Sequence, residues 1–294
     1  MSRYLVILNP VAGRGRVRRE WPRMAERLRA AGVQFDILET TAPGSGIGLA
    51  ERAAQDYEVV IAAGGDGTVH EVVNGLLRAG GGAALGVLPL GSGDDFVKML
   101  PHGDAVARIR RAKPKTLDAG RIRVGGAERY FANGMDIGFG AHGAHNIRKV
   151  PRLLTGLGAY LGALALTLVR YPKLELRLQL DGGAPFAQTT AMTAVMNGCA
   201  FGGSFRVCPD ARADDGELDL FVAEGLGRLE ILALVPRIMR GTHVGDPRLR
   251  LARARRVLIE SEAPLLVEAD GEIVFEDARR LEIEILPGAL RVLA

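Results

Sequence analysis

The sequence predicts an α/β domain followed by a mainly antiparallel, β-sandwich-like domain, and three observations carry that expectation. Up to about Thr116, short apolar runs alternate with stretches whose apolar residues recur at offsets of three and four. That is the pattern of strands joined by helices into a mostly parallel sheet covered on both faces. Beyond it, KLELRLQLDG, ELDLFVAEG and RRLEIEIL alternate strictly, as half-buried strands of a two-faced antiparallel sheet do. Glycine-rich loops follow three of the early strands, the place where open α/β sheets bind ligands. The expected division is 1–122, 123–285, and a C-terminal segment 286–294 whose last strand is open to returning to the first domain.

The early elements follow in order. YLVILN reads as a strand, and a glycine-containing loop leads from it to a helix with its stripe at Trp21, Met24, Ala25 and Leu28. VQFDIL is a strand, GLAERAAQ a small helix, and EVVIAAG a buried strand. The next helix carries Val69, Val72, Val73, Leu76 and Leu77, and ALGVLPLG is another buried strand. In the second part, DAGRIRVGGAERYFANGMDIG breaks into short strands and turns. Leu174, Leu176, Leu178 and Leu180 mark one strand face, and RRVLIES and PLLVEADGEIVFE continue the alternation. Helices are expected near 153–169 and 228–240.

Composition narrows the class. Of 294 residues, 48% are hydrophobic and 24% charged, which excludes a disordered chain. The net charge of +4, from 38 basic and 34 acidic residues, mildly favours anionic partners, phosphorylated ligands or acidic lipid surfaces among them. No compact basic run interleaves with aromatics and no zinc-finger spacing occurs, so no nucleic-acid partner is expected. Cys199 and Cys208 alone make neither a disulfide framework nor a cysteine metal site, and both read as small buried residues. The N-terminus enters a strand directly, without a secretory pattern, so a cytoplasmic location is expected. The apolar segment Leu153–Val169 is short for a spanning helix and reads as a packed helix, with contact to a lipid surface as the alternative. His142 and His145 read as loop residues.

In GGDGT, glycines Gly64, Gly65 and Gly67 stand at a strand-to-helix turn, where they allow close ligand approach. Free amides at the helix start can meet phosphate oxygens. Asp66 would repel such oxygens unless magnesium lay between them, and the competing reading is a plain helix cap. NPVAGRGR and LPLGSGDDF follow two other strands; neither is a standard P-loop or a GxGxxG fingerprint. Arg14, Arg16 and Arg19 read equally as phosphate neutralisers or as solvated surface.

NPVAGRG, GGDGTVHEVVNGL and LGVLPLGSGDDF, followed by ANGMDIGFGA, CPDARADDGELDLF and VEADGE, together resemble the diacylglycerol kinase catalytic-domain family of bacterial lipid kinases and sphingosine kinases. The likeness covers nearly the whole chain, whereas GGDGT alone is shared with NAD kinases and phosphofructokinases. It implies a nucleotide-binding α/β domain of NAD kinase/phosphofructokinase type, a β-sandwich-like second domain, and phosphorylation of a lipid hydroxyl by ATP in a cleft between them. By the same resemblance ATP contacts fall on Asn9, Thr40 (with Thr41 one residue away), Gly64, Gly65, Asp66, Gly67, Thr68, Val69, His70 and Ser92. Ser92 replaces the family's usual Thr, and Asp94 its usual Asn. Glu272, after the Asp270-Gly271 pair, takes the place of the base, although Asp-Gly is also an ordinary hairpin turn. Asp215 matches the carboxylate of a magnesium loop to which Arg212 and Glu217 contribute backbone carbonyls, and a surface turn is the competing reading. The implied cofactors are ATP and Mg2+. The implied partners are a lipid with a free hydroxyl, most readily diacylglycerol or a relative, and a transient membrane surface at the inner face; a homodimer stays open. A NAD kinase, and a regulatory protein that binds without turnover, are the alternatives.

Overall fold

The computed structural model describes residues 3–91, 95–111, 113–147, 149–150, 157–169, 173–200, 202 and 205–294. The chain forms two compact units, Met1–Ala119 with Leu286–Ala294, and Gly120–Ile285.

The first unit is built from β1 (Tyr4–Leu8), α1 (Ala12–Ala30), β2 (Phe35–Glu39), α2 (Ser45–Asp56), β3 (Val59–Gly64), α3 (Asp66–Arg78), β4 (Ala84–Pro89), a 3-10 turn at Phe96–Met99 and α4 (Ala105–Arg111). Its strands run parallel in the order β4-β3-β1-β2. β3 is buried throughout and β1 nearly so, which is why both read as unbroken apolar runs, whereas β2 lies at the edge and is largely exposed. Val6 and Leu8 of β1 join a core with Val17 and Leu28 of α1 and Val106 and Ile109 of α4. Leu5 and Ile7, on the opposite face by strand alternation, are equally buried. α2 and α3 pack tightly because Gly75 has no side chain: a Cβ there would lie 2.3 Å from the Ile47 carbonyl oxygen.

The second unit follows through β5 (Pro114–Val124), which carries the chain from one unit to the other, and β6 (Ala127–Phe131). Next come β7 (Gly134–Gly138), α5 (Phe139–Ile147), α6 (Leu157–Val169), β8 (Leu174–Leu180), β9 (Phe186–Met196) and β10 (Leu218–Glu224). α7 (Arg228–Arg240), β11 (Leu249–Ala254), β12 (Arg256–Ala269) and β13 (Glu272–Leu293) complete it. Antiparallel pairing gives the order β11-β10-β9-β7-β12-β13, with β8 bridging β9 and β12 and β5 pairing β6 and β13. Period-two alternation divides β10 between two cores. Leu218, Leu220 and Val222 pack with Leu174, Leu176 and Leu178, while Phe221 and Ala223 pack with Ile231 and Leu234 of α7. The end of β13 lies in the first unit, where Val292 pairs in parallel with Leu85 of β4.

Three local readings change. His142 and His145 lie on helix α5, not in a loop, and His142 Nδ1 donates to the Gly138 carbonyl at 2.8 Å. α3 begins at Asp66, since Gly65 already has the extended geometry of a helix cap. Cys208 is buried but Cys199 only half-buried. The apolar segment is helical from Leu157, and its residues 153–156 lie outside the described residues. Among the described residues no helix is long and apolar enough to cross a membrane, a statement that does not bear on β-barrels.

Candidate functional site

Strand register brings the loops of the first unit to one edge. β1 lies between β2 and β3, so the chain leaves it in one direction and returns on the other side, which makes β1 and β3 the switch point of the sheet. Leu8 pairs with both Glu39 and Ala63, and Gly64 with Pro89. The residues that follow, Asn9, Thr40, Gly65 and Leu90, therefore emerge at the same level. Backbone bonds fasten them: Asn9 N donates to Ala63 O at 3.0 Å, Thr40 N to Leu8 O at 2.9 Å and Leu90 N to Gly64 O at 2.9 Å.

Side chains then join the loops. Asn9 Nδ2 donates to Thr68 Oγ1 at 3.2 Å, bridging the loop after β1 and the first turn of α3. Thr68 can lie back over the strand end because Gly64 is glycine; a Cβ there would sit 2.2 Å from the Thr68 hydroxyl. Asp66 occupies the first helical position, and its Oδ1 accepts the Asp95 amide at 2.8 Å. Its carboxylate thus reaches the third loop. Gly67 continues that first turn. Ser92 and Asp94 lie outside the described residues.

The loop after β1 bends through three consecutive left-handed residues, Gly13 (φ 58°), Arg14 (φ 57°) and Gly15 (φ 81°), before the regular part of α1. Glycine relieves two of these positions, and such turns leave backbone N–H groups directed to one side, a geometry suited to anions. Arg16 donates to Glu20 at 2.7 Å and to Gly91 O at 3.4 Å, so it links this loop to the one after β4.

Other residues of the GGDGTVHE stretch point elsewhere. Val69 and His70 are buried, and Asn74, one turn on, donates to the His70 carbonyl at 2.9 Å. Glu71 accepts the amides of Gly44 and Gly46, each at 2.7 Å, so its carboxylate caps α2 within the first unit. Sequence spacing gave no sign of this, because the α2 terminus is 25 residues away in the chain.

In the second unit, Asp270 and Gly271 form the hairpin turn between β12 and β13. Their φ values of 49° and 91° are the paired left-handed conformations of a type I′ turn. The Asp270 carboxylate accepts three consecutive amides, from Ala132 (2.8 Å), Asn133 (2.9 Å) and Gly134 (3.1 Å). Glu272 follows as the first residue of β13, half-buried. The turn is therefore held from below by the ANG loop, which the sequence alone did not connect to it.

The acidic loop at 212–219 is organised around an arginine. Arg253 on β11 pairs with Asp215 Oδ2, with Glu217 at 2.9 Å and with Asp219 at 3.6 Å, while Asp215 Oδ1 accepts the Glu217 amide at 3.2 Å. Arg212 is exposed and pairs with Asp214 at 3.4 Å. Among the described residues no three His, Cys, Asp or Glu side chains converge as a metal site. Of the set implied for magnesium, the one carboxylate, Asp215, is paired with the Arg253 guanidinium here, while Arg212 and Glu217 were expected to contribute only backbone carbonyls; no chemical step is assigned to a metal at this loop.

Against this geometry, the model of the diacylglycerol kinase catalytic domain matches residues 3–122, and that of the YegS C-terminal NAD kinase beta sandwich-like domain matches residues 133–294. A diacylglycerol kinase of Bacillus subtilis (strain 168) is 27% identical over 279 residues, 92% of this chain and 90% of that protein. One from Staphylococcus aureus (strain bovine RF122 / ET3-1) is 29% identical over 276 residues, 92% and 86% of the two chains. The crystal structure of a diacylglycerol kinase from Bacillus anthracis str. Sterne superposes with a TM-score of 0.72 at 24% identity, covering 99% of this chain and 96% of that one, which shows the shared fold. With both domains matched in order along one chain, the protein belongs to the diacylglycerol kinase catalytic-domain family and is an enzyme of kinase type.

Proposed function

We propose that the protein transfers the γ-phosphate of ATP to the free hydroxyl of a membrane lipid, diacylglycerol or a close relative, giving a phospholipid and ADP. The observation that carries the reading is the stitching of three strand-end loops by Asn9–Thr68 and Asp66–Asp95. It turns the sheet edge into a backbone-lined cradle of the kind that holds polyphosphate. In this reading Asn9, Thr40, Ser92 and the amides from Gly64 to His70 bind the nucleotide. Asp66 supplies the carboxylate for the Mg2+ of Mg-ATP, which neutralises charge developing on the transferred phosphoryl group. Glu272 accepts the hydroxyl proton as the lipid oxygen attacks. Asp215 and Glu217 have a structural part, with Arg253 as the cation they hold, and Arg212 pairs with Asp214 beside them.

Contact with a membrane is part of the same proposal. Leu166 and Val169 at the end of α6 are exposed, as are Leu229 and Leu232 on α7. Arg228 Nη2 donates to the Val169 carbonyl at 3.0 Å and so holds the two helix ends together. Exposed apolar side chains beside an arginine suit an anionic lipid surface.

A labelled-ATP assay over diacylglycerol, monoacylglycerol, sphingoid bases, ceramide and NAD tests the reading. Transfer to a lipid is the expected result. Transfer to NAD alone, or ATP binding without transfer to any acceptor under several divalent metals, overturns it.

A further inference from the structure

Two carboxylates lie buried side by side in the second unit, outside every role given above. Asp136 on β7 and Glu268 on β12 are direct partners across the antiparallel ladder and are 0% and 3% exposed. Adjacent carboxylates removed from water cannot both ionise, since repulsion adds to the cost of desolvation. One oxygen of each is engaged. Asp136 Oδ1 accepts the Ala141 amide in the first turn of α5 at 2.5 Å, and Glu268 Oε1 accepts the Gly271 amide. Asp136 Oδ2 is buried and meets no donor among the described residues, while the Glu268 carboxyl group is its neighbour. A proton on Glu268 supplies that donor and leaves Asp136 as the anion, the arrangement favoured by the positive end of α5. Burial pushes the Asp136 carboxyl up to about 7, and burial together with the Asp136 charge holds Glu268 well above the usual carboxylate range. Gly140 makes room for the pair, because a Cβ there would lie 2.5 Å from Asp136 Oδ2.

The amide bound by Glu268 belongs to the turn that presents Glu272. We propose that Asp136 and Glu268, sharing one proton, are positioning residues that lock the Asp270-Gly271 turn and so fix the carboxylate of Glu272. This rests on the reading of Glu272 as proton acceptor and adds the device that aims it. Loss of the shared proton places a second negative charge under the turn and loosens it. The titratable groups nearest in the chain on the packed elements are His142 and His145 on α5, Asp270 in the turn and Glu272 at the start of β13; Arg256, Glu260 and Glu262 on β12, and the charged residues of β13 from Glu276 on, lie further along the strands. β9 places Ala194 opposite Asp136, and β13 places Ile273 opposite Glu268.

The test measures kcat and the ATP KM between pH 6 and 9, with a lipid acceptor, for Glu268→Ala, Glu268→Gln and Glu272→Gln. Glu268→Ala should lower kcat about twentyfold or more, with the ATP KM within about twofold of the parent. Glu268→Gln still accepts from Gly271 and donates to Asp136, so it should keep at least about a third of kcat, and the alkaline fall expected of the parent should be absent. A Glu268→Ala enzyme with parental kcat overturns the proposal. If that variant does not fold, the Gln variant decides alone, and an alkaline limb matching the parent's overturns it. Full activity in Glu272→Gln removes the proton-acceptor reading and the positioning role with it. An inactive Glu272→Gln beside a fully active Glu268→Ala removes the positioning role only.

Discussion

Asn9 and Thr68, 59 positions apart in the chain, meet through a 3.2 Å hydrogen bond that closes the loop after β1 onto the first turn of α3. Each is a short polar residue at the end of a buried strand system, and neither is explained by packing. Their contact fixes the spacing of the two backbones that the proposed function assigns to phosphate. Removing either side chain should raise the ATP KM about tenfold, equivalent to about 1.4 kcal/mol for a hydrogen bond in a binding loop. Because they act as a unit, Asn9→Ala with Thr68→Ala should cost little more than either alone, and a double-mutant cycle by ATP titration measures that coupling. Additive losses would show that the contact is incidental.

Asp66→Asn keeps an oxygen that can accept the Asp95 amide, so the loops should stay joined and the protein folded. Its charge is lost, and kcat should fall by about a hundredfold or more through weaker electrostatic stabilisation of the transition state. ATP binding should lose most of its dependence on magnesium, as read by calorimetry with and without the ion.

Glu71 sits three residues from Thr68 yet serves the start of α2. Glu71→Ala leaves the Gly44 and Gly46 amides without their carboxylate and should lower stability by about 1–2 kcal/mol in urea unfolding. Turnover per folded molecule should hold. A large loss of kcat at full stability would instead place Glu71 in the reaction.

The buried acid pair gives the pH dependence a sign. Unfolded, both carboxyls release their protons near pH 4; folded, burial pushes Asp136 up to about 7, and burial with the neighbouring Asp136 charge holds Glu268 well above the usual carboxylate range. The native state therefore binds more protons over that window, so this pair's contribution is greatest below the unfolded value and is lost as pH rises. Glu268→Gln removes the need to keep Glu268 protonated. Its stability relative to the parent should rise steadily from pH 5 to pH 8, and a pH-independent difference would contradict the assignment.

Much of the molecule was legible in one dimension. The runs VVIAAG and ALGVLP reveal parallel strands because a strand buried on both faces has no room for polar residues, and KLELRLQL reveals a two-faced strand by its alternation. The order of the glycine loops sufficed for the family, since glycine placement at a phosphate turn is a local backbone requirement. Local pattern also left points open: a helix cap competed with a cation-facing carboxylate at Asp66, and Glu71 had no visible partner. What tertiary structure alone decided are the long-range pairs. The Asp66 carboxylate meets the Asp95 amide, Arg253 fills the acidic loop around Asp215, and Glu268 pairs with Asp136 under the Gly271 turn. In a strand, an acid facing water and an acid facing another buried acid occupy the same letter in the same alternation. Only the register between strands, set by burial of whole faces and by the turn that joins them, tells the two apart.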